Sequence, residues 1–338
     1  METLSGTILA GESFEPIRGR VVVADGRIDA VEEAHVDSDD IVLPAFVNAH
    51  THLGDSVAKD AAVGLSLEAA VVPPDSLKHR RLAAASHEEL VTAMRRTLRH
   101  VGRTGTVSCL DFREFGVEGA RALREAAAPL AVEPFIFGSD EVSVLDVADG
   151  YGASGANDDD FTDERATARD RGVPFAIHAG EPDASDIHPA LDLEPDLLVH
   201  MVHTGREHLD RVADQSVPVV ACPRTNAVLD VGTAPMRELL DHTTVALGTD
   251  NVMLNPPSML REMAYTEREF DVTVREVLRM ATTAGAEIAG LDCGVVAPGK
   301  RAALLVLDGD SDNRAGSDDP VAAVVRRATE LDVKRVLL

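Results

Sequence analysis

The chain has 338 residues, with 58 Asp and Glu against 32 Lys and Arg, a formal net charge of −26, 45% hydrophobic residues and no tryptophan. That apolar fraction is too high for a disordered polyanion, no apolar run approaches the roughly 20 residues of a membrane helix, and so acidic a surface repels phosphate backbones. The start METLSGTILA lacks a basic segment and an apolar stretch, so a soluble cytoplasmic protein is expected, with neither nucleic acid nor membrane as partner.

From Leu4 to about Leu43 the pattern is of short strands: Gly6–Ala10, Gly19–Ala24 and Arg27–Val31, with Asp25-Gly26 as a type I′ hairpin signal between the last two. A different rhythm follows. Ser86 and Glu89 form a capping box, and Leu90, Ala93, Met94, Leu98 and Val101 then recur at helical spacing. Next come a strand at Thr106–Phe112, a helix near Val117–Ala127 and a strand at Val132–Phe137. The region after Phe137 is the least regular. Val142–Val147 reads as a short strand, and Gly150–Asp160 as a loop rich in Gly, Ala, Asn and Asp. Strands at Val173–His178, Leu197–His200, Val217–Cys222 and Val245–Gly248 then alternate with helical segments. The C-terminal stretch returns to strands, with a Pro298-Gly299 turn, Ala302–Leu307 and Val333–Leu338.

Repeated βα units over roughly 250 residues predict an α/β fold, a (β/α)8 TIM-type barrel. Residues 44–295 would form that barrel, and residues 1–43 and 296–338 a small composite β-sandwich built from both ends.

Lys59, Lys78, Lys300 and Lys334 are the only lysines, and Asp outnumbers Glu. Self-repulsion of this size is tolerable where salt screens it within a few Å, which reads as halophilic adaptation to a salty cytoplasm; an acidic mesophilic enzyme is the alternative. Cys109, Cys222 and Cys293 are too scattered for a disulfide framework or a CxxC knuckle. Any metal must therefore be held by histidines and carboxylates.

His50-Thr51-His52 places two imidazoles on one face of a strand end, within reach of one ion. His178, His200 and Asp250 also close strand-like runs, and in a βα barrel such ends converge on the functional face. Three imidazoles and a carboxylate suit Zn²⁺ and also hold Fe²⁺.

These motifs, Leu43-Pro-Ala-Phe-Val-Asn-Ala-His-Thr-His52, His178-Ala-Gly-Glu181, His200-Met-Val-His203, Cys222-Pro-Arg-Thr-Asn226 and Gly248-Thr-Asp250, resemble the amidohydrolase superfamily in their order, in particular its cytosine deaminase, chlorohydrolase and methylthioadenosine deaminase branch. The resemblance implies His50, His52, His178 and Asp250 as ligands of one metal ion per subunit, zinc or alternatively iron. It implies Glu181 as proton shuttle and His200 as the histidine that orients water, with His203 as the competing choice; Asp250 is both ligand and catalytic base. Pro44-Ala45 and Ala303 depart from the family's usual Pro-Gly and Asp, away from these ligands.

The implied activity is a metal-dependent hydrolase that deaminates an aminated heterocycle, such as a nucleobase, nucleoside or related ring. Hydrolysis of a cyclic amide or a halogenated ring is the second reading, and a catalytically silent scaffold the third. Substrate contacts are sought at Lys59, Lys78 and Arg80 in the first βα loop, at Arg113 after the second strand and at Arg224 after the seventh, a set that would favour an anionic small molecule. Salt bridges to the chain's own carboxylates are an equal reading of these cations. The number of subunits is left open, with a homo-oligomer compatible.

Overall fold

The computed structural model describes residues 1–72 and 75–338, and its strands fall into two sheets. The N-terminal segment supplies β1 (Glu2–Ala10), β2 (Glu15–Ala24), β3 (Arg27–Glu33) and β4 (Ile41–Pro44). Asp25 and Gly26 join β2 to β3 with φ values of 50° and 73°, the doubly positive backbone that a type I′ turn requires.

The central segment supplies β5 (Phe46–His52), β6 (Thr106–Arg113), β7 (Glu133–Gly138), β8 (Gly150–Ala153), β9 (Phe175–Ala179), β10 (Leu197–His200), β11 (Val219–Ala221), β12 (Val245–Leu247) and β13 (Asp250–Asn251). All are parallel, in the order β12–β11–β10–β9–β8–β7–β6–β5–β13, so this α/β sheet curls until its two edges are consecutive pieces of chain. The last strands, β14 (Leu304–Leu307) and β15 (Val333–Leu337), leave the curled sheet and join the first four in the order β15–β14–β4–β1–β2–β3. That sheet is antiparallel except where β1 meets β4.

Helices cover the outside of the curled sheet. The longest, His87–Arg103, begins with the capping box expected from sequence: Ser86 Oγ accepts from Glu89 N, and Glu89 accepts from Ser86 N. Its face of Val91, Met94, Leu98 and Val101 is buried, each side chain contributing about 1.5–3 kcal/mol. No described helix is long and apolar enough to cross a membrane.

One strand lies elsewhere than the sequence indicates. Val142–Asp146 is a 3-10 helix, and the strand is β8, inside the stretch expected to be a loop. A Cβ at Gly150 would lie 2.9 Å from the Phe137 ring, and one at Gly152 2.8 Å from the Phe112 ring. Glycine is used here because the neighbouring strands carry phenylalanines, and its low strand propensity hides the element.

Candidate metal centre and cavity

The strand ends bring the candidate ligands together. One atom each from His50, His52 and His178 lie within 4.8 Å of one another, as do atoms of His50, His200 and Asp250. His50 Nε2 stands 3.3 Å from His178 Nε2 and 3.4 Å from Asp250 Oδ1, while His52 Nε2 is 3.6 Å from the same oxygen. The Phe112 ring packs edge-on against His50 and His178 and fixes their planes. Asp250 begins β13 with φ of 57°, and His200 ends β10 with φ of 76°. Such left-handed backbone at non-glycine residues is strain held in place by its surroundings, and it aims both side chains inward. Gly248 allows the close approach behind them, because a Cβ there would sit 2.6 Å from that of His50.

The second ring nitrogens decide what the first can do. His178 Nδ1 donates to Ala153 O at 2.9 Å, which leaves the Nε2 lone pair free. His52 Nδ1 lies 2.8 Å from Glu114 Oε1 and 2.9 Å from Lys78 Nζ. A proton on Nδ1 serves the Glu114 bond and again frees Nε2; Lys78, which also contacts Glu114, is then a second donor to the same carboxylate. Arg113 is a third. His200 Nδ1 is 3.2 Å from Asn226 Oδ1, and its Nε2 is 3.6 Å from Glu181 Oε2.

Burial pushes His50 down to about 3 and lowers His178 as well, so both imidazoles are neutral, as ligands must be. Burial and the Lys78 ammonium press His52 down, but Glu114 and Asp250 outweigh them and its pKa is raised. Burial opposes ionisation of Asp250 too, yet the hydrogen bond from His50 and the surrounding imidazoles hold it below the usual carboxylate range. Glu181 goes the other way: burial, aided by Asp250 and opposed by His200, raises it.

These groups form the floor of a cavity of about 720 Å³. Of the sequence-based candidates, His52, His178, His200, Glu181, Asp250 and Lys78 line it, and the buried His50 stands behind them. His203 is exposed and outside the cavity, so His200 is the histidine at the centre. Lys59, Arg80, Arg113 and Arg224 are not among the described lining residues. Lys59 and Arg80 are exposed. Arg113 is buried against Glu114 and Asp111, and the half-buried Arg224 pairs with Glu262, whose carboxyl also accepts from Arg224 N at 3.0 Å. Asp55 was not singled out in the sequence; it accepts from Asn251 Nδ2 at 2.8 Å and lies 3.9 Å from Lys78 Nζ, tying the first loop to β13. Asn226 closes the Cys222–Asn226 motif, and that place is the signal the sequence offers for its contact with His200.

The donor set fits a divalent ion. The Nε2 atoms of His50 and His178 face each other at 3.3 Å with the Asp250 carboxylate beside them, so a cation taking the place of the His50 Nε2 proton would meet two imidazole nitrogens and a carboxylate oxygen.

The model of the Amidohydrolase family matches residues 41–338. A putative aminohydrolase of Methanothermobacter thermautotrophicus is 34% identical, over 97% of this chain and 95% of its own. A 5-methylthioadenosine/S-adenosylhomocysteine deaminase of Halobacterium salinarum is 26% identical, over 94% and 84%. In three dimensions the chain resembles a zinc-bound adenosine deaminase from Xanthomonas campestris, with a TM-score of 0.82, 18% identity and coverage of 99% and 91%. From the length of these matches and the ligand geometry that accompanies them, the chain belongs to the amidohydrolase family.

Proposed function

We propose that this protein hydrolyses the exocyclic amine of an aminated heterocycle, releasing ammonia. The observation that carries the reading is Glu181: a half-buried carboxyl with raised pKa, lining the cavity 3.6 Å from His200 and beside the candidate ligand cluster without being one of its members.

A zinc ion, or alternatively iron, held by His50, His52, His178 and Asp250 would lower the pKa of a water molecule and polarise the carbon under attack. The side chains carry the protons. Glu181, its carboxyl raised by burial above the ordinary range, gives a proton to the ring nitrogen beside the amine-bearing carbon. Asp250 takes a proton from the attacking water, and His200, oriented through Asn226, hydrogen-bonds the oxygen being added. A proton returned through Glu181 to the amine makes ammonia the leaving group. One water is consumed for each ammonia released, and the ring keeps the oxygen.

In this reading β12 and β13 are halves of one strand interrupted at Gly248-Thr249, which makes the curled sheet an eight-stranded barrel with residues 44–295. Residues 1–43 and 296–338 form its companion unit. The net charge of −26 supports a salt-rich cytoplasm as its setting.

The test is an ammonia-release screen of the zinc-loaded protein over purines, pyrimidines, pterins and their nucleosides. Glu181→Gln should lower turnover by about 10²–10⁴-fold with metal still bound. Retained turnover would remove Glu181 from its role, and a ring-opened or dehalogenated product without ammonia would replace deamination.

A further inference from the structure

Glu181 is carried on a turn whose two ends are fastened to each other. Gly180 N donates to Asp186 Oδ1 at 2.8 Å, closing the loop that bears Glu181. Asp186 stands at the entry of the short helix Ile187–Asp192, where an aspartate ordinarily accepts from the helix's own first N–H groups. It makes no such bond, and its buried carboxylate reaches back to the residue before Glu181 instead. Gly180 has a left-handed φ of 68°, and a Cβ there would lie 2.8 Å from Ile187 Cδ1, so the turn packs directly on that helix. Pro182 follows, which biases Glu181 itself toward extended backbone.

The other fastenings of the turn come from the strand end beside it. Met201 N donates to Ala179 O at 2.9 Å, and His203 N donates to Gly180 O at 3.0 Å. Both donors belong to the segment that follows His200, whose Nε2 lies 3.6 Å from Glu181 Oε2. Gly180 is thus held through its carbonyl by the His200 segment and through its N–H by Asp186. Gly180 is buried, and an N–H left there without an acceptor is costly. Removing the carboxylate leaves the turn free to pivot on its remaining bonds, and the Glu181 side chain moves with it. Asp183 offers no replacement, since its carboxylate is spent on Ser185 N at 2.7 Å.

We propose that Asp186 is a positioning residue for the reaction: its carboxylate fixes the turn that holds Glu181 beside His200 for proton transfer. This rests on the role given to Glu181 under the deaminase reading. Asp186 acts through Gly180 and Glu181, not on the reacting atoms. It also lines the cavity, so the split between kcat and KM separates positioning from contact with the substrate.

The experiment compares zinc-loaded Asp186→Ala and Asp186→Asn with the native protein, counting kcat per bound zinc so that a loss of folded protein does not enter. Asp186→Ala should lower kcat by up to about 10²-fold, the cost of a misplaced group, with KM within about twofold. Asp186→Asn, whose amide oxygen still accepts from Gly180 N, should keep kcat within about threefold. In a Glu181→Gln background, Asp186→Ala should cost no more than about threefold further, because the group it positions is already lost. A full further loss in that background means a general structural role, a rise in KM at unchanged kcat means substrate contact, and either overturns the proposal, as does an unchanged kcat in Asp186→Ala. If Asp186→Ala does not fold, Asp186→Ser, which keeps a capping group at the helix entry but stops a bond short of Gly180 N, is read in the same way. If the native protein releases ammonia from no ring compound, the deaminase reading fails, and the positioning is judged on crystal structures. A Glu181–His200 separation kept at 3.6 Å in the variant then refutes it, and a displaced Glu181 supports it.

Discussion

Replacing Glu114 by Gln removes one charge from a nearly buried cluster while keeping the side chain's shape. In the native protein this carboxylate accepts from His52 Nδ1 and from the Lys78 and Arg113 cations, and those partners hold it well below the usual carboxylate range although burial opposes ionisation. The variant leaves two buried cations short of a counter-charge, a loss of about 3–5 kcal/mol for a broken buried pair. The lower end applies, because Arg113 keeps Asp111 at 3.6 Å and Lys78 keeps Asp55 at 3.9 Å. About 3 kcal/mol corresponds to a fall in Tm of roughly 4 °C for a chain of 338 residues.

The same change weakens the bond that fixes the His52 tautomer, and loss of such an orienting partner lowers metal affinity about 10–100-fold. With Glu114 neutral, Lys78 can donate to Nδ1, which places the imidazole proton on Nε2 and blocks that ligand. Zinc titration against a chelating dye measures affinity, and melting of the metal-free form measures stability. A variant that melts lower yet binds zinc within about threefold of the native protein would refute the orienting role and leave Glu114 as a stabilising residue only.

Other outcomes follow from the same geometry. Glu262, pushed up by burial from 4.5 to about 7, binds more protons folded than unfolded between those values. Its contribution is therefore most favourable below about pH 4.5 and declines as pH rises to about 7, by at most about 3 kcal/mol. Glu262→Gln lacks that decline, and urea unfolding at pH 5 and pH 8 should show a smaller difference than in the native chain; equal differences remove Glu262 as the cause. Gly248→Ala puts a methyl 2.6 Å from His50 Cβ and should cost about 1–3 kcal/mol together with metal content, read by melting and metal analysis. Asn226→Ala should lower kcat about 10–100-fold with little change in KM or bound metal, since it acts only through the His200 ring.

The convergence of the candidate ligands was legible because strand ends of a parallel α/β sheet share one face, so residues far apart in sequence could be assigned to one place. The strand β8 was not legible, since its glycines answer the bulk of Phe112 and Phe137 on neighbouring strands, and an apolar run just before it imitates a strand. The cations were misleading for a related reason. Lys78, Arg113 and Arg224 look unattached in sequence, but Glu114, Asp55 and Glu262 reach them once the elements pack. Charge on a side chain can be read from one position; whether it is spent needs the partner's position.

The bonds between Asn48 and Thr249, from Asn48 Nδ2 to Thr249 Oγ1 at 2.7 Å and from Thr249 N to Asn48 Oδ1 at 3.0 Å, join residues 201 positions apart beside His50 and Asp250. The first and last candidate ligands thus meet only when the two edges of the curled sheet come together, which ranks among the slowest contacts for a chain to find. During synthesis the ribosome must deliver residue 250 before the full ligand set exists. Binding of an ion by this candidate set would then be a late step, tying together sheet edges that had already met.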